Sequence, residues 1–108
     1  MTTGEVRRYF ESKRVHWTLH ATEERQKDGL EAETVLRALR DSGQMIESFP
    51  RGRPGREAAS VLVLAWLPDG RPVHVVIGHA EDPWVIVTVY RPDERPTEWN
   101  ADFTRRRR

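Results

Sequence analysis

Apolar positions recur at helical spacing up to about residue 41, and beyond it they fall into short runs and alternations. Val6, Tyr9, Phe10 and Lys13 share one helical face with Arg and Glu between them, which predicts a short amphipathic helix over residues 3–13. The stretch "RVHWTLH" then alternates, with Val15, Trp17 and Leu19 on one face and His16, Thr18 and His20 on the other, a strand pattern. Residues 21–28 are helix-prone yet almost without apolar positions, and Gly29 is a natural residue to end such a helix. A further helix is expected over residues 31–41, where Ala32, Val35, Leu36 and Leu39 form a core-facing stripe and Gly43 closes the element. The remainder reads as β. "QMIESF" is a short strand, "SVLVLAWL" a buried central one, and "PVHVVIG" and "WVIVTVYR" a pair across "HAEDP". Asp69-Gly70 between two apolar runs marks a hairpin.

Helices first and strands after predict an α+β fold, with N-terminal helices packed on one face of a three- to four-stranded antiparallel sheet. We expect a single domain over residues 1–108, with an N-terminal helix in 1–14 and a C-terminal extension in 92–108 that ends in a basic tail. Alternation predicts the register. Val73, Val75 and Ile77 should share the core face with Val85, Val87 and Val89, leaving His74, Val76, Trp84, Ile86, Thr88 and Tyr90 on the other. That second face mixes aromatics, a hydroxyl and an imidazole, as a ligand floor does. The alternative is that "PDERPTEWNADF" simply covers it.

Charge narrows the partners less than its placement does. The net charge is only +1, so bulk charge does not announce a nucleic-acid binder, but the chain ends "FTRRRR". Such a run is either a solvated tail or a phosphate-contacting arm. Cysteine is absent, which excludes disulfide scaffolds and thiolate zinc sites and fits a reducing cytoplasm. The N-terminus carries charge throughout, without the apolar core of a signal peptide, and the longest apolar run is too short to span a bilayer. A cytoplasmic protein without a membrane partner is expected.

His20 and Glu24 stand four apart and share a helix face if the helix starts near His20. A carboxylate beside an imidazole orients it for acid–base work near neutral pH. His74 on the far sheet face is a candidate second proton-transfer group, with Tyr90 beside it. Arg91, or the arginines at 105–108, are candidates to hold a phosphate, with Thr88 nearby. This set suits metal-independent cleavage of RNA through the ribose hydroxyl. Two other readings stay open. One is a non-catalytic protein- or RNA-binding module that uses the aromatic sheet face. The other is a metal site through His16, His20 and His74, joined by Glu24 or His79. No phosphate loop or nucleophile elbow is present, and no cofactor is expected.

The succession "LHATEE", "DGL", "VLRAL", "MIESFP", "DGRPVHVVIG", "VIVTVYRPD" and a late Trp before "DF" resembles the family catalogued as domain of unknown function 4258. The likeness covers about residues 16–107 and is most specific over 69–93. Val73 stands where Leu is commoner, and "DSGQ" is longer than the usual turn. The resemblance implies a site at His20, Glu24, His74, Thr88, Tyr90 and Trp99. The family's layout is similar to that of RelE-like and MqsR-like ribonuclease toxins, which implies a toxin–antitoxin-type ribonuclease with RNA as substrate and a small antitoxin-like protein as partner. The near-neutral charge departs from RelE-type toxins, which are strongly basic.

Overall fold

The computed structural model describes residues 1–12, 14–52, 54 and 58–107. Lys13, Arg108 and most of the Gly/Arg-rich loop after Gly52 therefore lie outside the described residues. Among the described residues, three α-helices, α1 (Thr3–Ser12), α2 (Leu19–Lys27) and α3 (Ala32–Ser42), accompany five strands: β1 (His16–Trp17), β2 (Gln44–Phe49), β3 (Ser60–Trp66), β4 (Pro72–Gly78) and β5 (Val85–Tyr90). The strands form one sheet in the order β1-β5-β4-β3-β2. β2 to β5 pair antiparallel, as expected. The fifth strand corrects the expectation, because β1 runs parallel to β5 and makes the sheet mixed.

The N-terminal helices do pack on the sheet. Val35, Ala38 and Leu39 of α3 and Val6, Tyr9 and Phe10 of α1 join Val61, Val63, Ala65, Val73, Val75 and Ile77 in the main core. Gly43 ends α3 for a steric reason. A Cβ there would run into the Leu39 carbonyl oxygen.

β1 is shorter than its alternation suggested, for a local reason. The Thr18 hydroxyl accepts from the Ala21 amide at 3.1 Å and caps α2. The helix therefore starts at Leu19, and that side chain, placed by alternation on one strand face with Val15 and Trp17, is 75% exposed.

The register of β5 also differs from the alternation rule. Val76 pairs with Thr88 but Ile77 pairs with Ile86, so Val87 is the extra residue of a β-bulge. Past the bulge the two faces exchange. Ile86 and Trp84 turn to the helix side with Val89, and Val87 turns to the far side. Trp84 then stacks on Tyr9 of α1, ring centroids 3.9 Å apart and planes 3° from parallel.

The far face is covered. Trp99, 1% exposed, packs on Leu62 and Val76, with Phe103 and Tyr90 beside it. A small hairpin carries it: Trp99 bridges to Arg106, the Asn100 amide donates to the Arg105 carbonyl at 2.9 Å, and the Arg107 amide donates to the Glu98 carbonyl at 2.8 Å. Arg106 ties this hairpin to β2 through both oxygens of Glu47, at 2.8 and 3.0 Å.

Candidate functional site

α2 lies along the outer edge of β5 and satisfies the backbone groups that β1 is too short to reach. The Thr18 amide donates to the Ile86 carbonyl at 3.1 Å, and the Thr18 hydroxyl donates to the carbonyl of the bulged Val87 at 3.2 Å. Three residues before the end of α2, the Glu24 carboxylate accepts the Val89 amide at 3.2 Å. The same oxygen lies 3.2 Å from His20 Nε2. Helical i, i+4 spacing places His20 over Glu24, and Glu24 in turn is held by the sheet edge. Nε2 is thus the nitrogen that donates to the carboxylate, and Nδ1 is turned away from it on a side chain that is 65% exposed.

Glu24 lines a cleft of about 370 Å³ together with Lys27, Asp28, Tyr90, Arg91, Glu94 and Arg95. Three cations and three carboxylates line it. Arg91 makes a 3.5 Å contact to the Asp28 carbonyl, and its Nη1 is buried with no partner among the described residues. The Arg95 guanidinium lies 4.2 Å over the Tyr90 ring. Glu94 stands next to Asp93, which Arg71 grips through both oxygens at 2.8 and 3.1 Å. That guanidinium holds the Asp93 carboxyl below the usual range.

His74 and Tyr90 pair across neighbouring strands, but they lie beneath the hairpin and not on an open face. His74 is wholly buried; its Nε2 is 2.8 Å from the Phe103 carbonyl and its Nδ1 is 3.0 Å from the Tyr90 hydroxyl. A carbonyl only accepts, so Nε2 carries the proton and the Tyr90 hydroxyl donates to Nδ1. Burial pushes the imidazole down to about 4 and the phenol up to about 12, so both stay neutral at pH 7. Trp99 closes over the imidazole at 4.3 Å, edge to face. In this arrangement His74 fastens the hairpin to the sheet and touches no solvent-borne substrate.

The structure thus brings His20, Glu24, Tyr90 and Arg91 to one neighbourhood and separates His74 from His20. Thr88 lies on the far side of Tyr90, in a smaller pocket of about 180 Å³ that Arg106 also lines. Arg106 is engaged with Glu47 and Trp99, and the Arg107 guanidinium donates to the Trp99 carbonyl. Arg105 is exposed, and its carbonyl pairs within the hairpin. His16, His20 and His74 do not converge, and among the described residues no three His, Asp or Glu side chains gather as metal ligands do. Lys27 and Arg95 escaped the sequence reading. Lys27 had a signal, three residues after Glu24 on the same helix face. Arg95 had none, because only the turn after Pro92 brings it back over Tyr90.

A family model described as a domain of unknown function, DUF4258, matches residues 17–91. The chain belongs to this family. The matched span holds His20, Glu24, His74, Thr88, Tyr90 and Arg91, and it ends before Arg95, Trp99 and the hairpin that buries His74. Searches of curated proteins and of solved structures return no significant match.

Proposed function

We propose that this DUF4258 domain is a metal-independent endoribonuclease of the toxin–antitoxin type whose active site is the cleft between α2 and the end of β5. One observation carries the reading. Glu24 faces a cleft with Lys27, Arg91 and Arg95 while it holds the imidazole of His20 at 3.2 Å. The unprotonated Nδ1 of His20 takes the proton of a ribose 2′-hydroxyl. The 2′-oxygen then attacks the adjacent phosphorus, and the P–O bond to the 5′-oxygen breaks. The proton held by His20 returns to that leaving oxygen, so the products are a 2′,3′-cyclic phosphate and a 5′-hydroxyl end. Lys27, Arg91 and Arg95, which line the cleft, offset the charge gathered on the phosphate. Tyr90, neutral and committed to His74, serves as the wall of the cleft and not as a base.

The test is cleavage of labelled RNA in excess EDTA by the intact protein, His20→Ala and Arg91→Ala. Wild type should cut and leave cyclic phosphate ends, and His20→Ala should lose about a hundredfold or more in rate. RNA left intact by the wild type, or cut equally by His20→Ala, refutes the proposal. On the same reading expression of the wild type arrests growth, His20→Ala does not, and a small antitoxin-like protein is the partner that restrains it. The binding-module reading through the aromatic face loses its surface, since residues 98–107 of the chain itself occupy that face.

A further inference from the structure

His20 stands in the first turn of α2, where a helix is least able to hold a side chain by itself. Leu19 and His20 are exposed there, whereas Ala21 is fully buried in the core. The first amides of a helix have no partner within it, so the turn frays unless a group outside takes them. The Thr18 hydroxyl takes the Ala21 amide, at 3.1 Å.

That hydroxyl has a second partner, which the bulge in β5 supplies. Along a regular strand successive carbonyls point to opposite edges. At the bulge two consecutive carbonyls face the same edge, and Thr18 donates to both: its amide to the Ile86 carbonyl at 3.1 Å, its hydroxyl to the Val87 carbonyl at 3.2 Å. A hydroxyl carries one proton and two lone pairs, so it gives to Val87 and receives from Ala21 at once. Two residues further along the same edge, the Val89 amide donates to Glu24 at 3.2 Å. His20 therefore lies between two fastenings on one strand edge, Thr18 before it and Glu24 after it. The second of these also meets its imidazole, 3.2 Å from Nε2.

We propose that Thr18 is a positioning residue of the cleft: its hydroxyl ties the first turn of α2 to the β5 bulge and so holds the His20 imidazole on the Glu24 carboxylate. The inference rests on the ribonuclease reading for its effect on catalysis, but not for the placement of the imidazole. A reacting group displaced by about 1 Å costs on the order of a hundredfold in rate. Loss of the hydroxyl should therefore lower kcat. It should leave KM unchanged, because Lys27, Arg91 and Arg95 line the cleft from outside that turn.

Thr18→Val replaces the hydroxyl by a methyl group of similar shape, Thr18→Ala removes it, and Thr18→Ser keeps it. In the full chain without RNA, the first two should exchange the Ala21 amide about fivefold faster or more, the worth of one helix cap, and lose the through-space NMR contacts between the His20 ring and Glu24. Amide protection of Val63 and Val75 in the central strands should stay native, and Thr18→Ser should match wild type. In RNA cleavage Thr18→Val and Thr18→Ala should lower kcat about tenfold or more at unchanged KM. Added to His20→Ala, Thr18→Val should cost nothing further, whereas a merely structural role would cost the same factor in both backgrounds. Unchanged Ala21 exchange and His20–Glu24 contacts in both hydroxyl-free variants, a Thr18→Ser that fails as they do, or an equal loss of rate in both backgrounds overturns the proposal. Cleavage that needs His20 but is indifferent to Thr18→Val overturns it and leaves the ribonuclease reading standing. RNA left intact by the wild type overturns that reading alone, and the NMR comparison still decides whether Thr18 places the imidazole.

Discussion

Protonation of His74 should loosen the protein as the pH falls from 7 to 4. Burial drives this imidazole from 6.5 to about 4, against the smaller opposing pull of its bond to the Phe103 carbonyl. Above pH 6.5 it is neutral in both the folded and the unfolded chain, and its contribution to stability is fully present. Below 6.5 the unfolded chain takes up a proton that the folded protein refuses, so stability declines until about pH 4, where the folded protein binds it too. The gap is about 2.5 pH units, and at 1.36 kcal/mol per unit the loss is about 3 kcal/mol. That is a large share of the ~5–15 kcal/mol that a domain of this kind holds in reserve. Carboxylates such as Asp93, held low by Arg71, also lose stabilising charge in acid, so the measurement must be a difference. Urea unfolding of wild type and His74→Gln at pH 7, 5.5 and 4 supplies it. Glutamine does not titrate, and its amide can still donate to the Phe103 carbonyl. Wild type should lose about 3 kcal/mol more than the variant between pH 7 and 4. Parallel pH profiles would refute the burial argument.

Three further outcomes follow from packing and edge satisfaction. Trp99→Ala removes the largest fully buried side chain and should cost about 3–5 kcal/mol in urea unfolding, while the His74 imidazole, newly wetted, titrates closer to 6.5 by NMR. Gly43→Ala drives a Cβ into the Leu39 carbonyl and should lower stability by about 1–3 kcal/mol; no change in thermal midpoint would show that the turn can give. Glu24→Ala leaves the Val89 amide without its acceptor and frees His20. It should cost about 1–3 kcal/mol and speed hydrogen exchange at Val89 in particular, a readout that a purely catalytic role for Glu24 would not move.

The sequence by itself determined the elements. The helical stripe of α3, the Asp69-Gly70 hairpin, the buried runs of β3 and β4 and the polar character of α2 are all properties of neighbouring residues, and each lies where periodicity and turn chemistry put it. The pairing of His20 with Glu24 belongs to the same class, because i, i+4 spacing on a helix needs no other part of the chain. What only the tertiary structure decided is which faces and edges meet. The bulge at Val87 exchanges the faces of β5, since pairing with β4 and not alternation within β5 sets where the extra residue goes. The parallel β1 and the seat of Glu24 on the Val89 amide depend on backbone groups about 65 residues distant in the chain. His74 looked like an exposed reagent because its own strand alternates. The hairpin of residues 98–107, whose sequence carries no strand signal, buries that face by long-range contacts of Trp99, Phe103 and Arg106. Local propensity is a short-range property, and burial is the sum of contacts from everywhere in the chain, so a side chain's chemistry becomes readable only when the fold has set its neighbours.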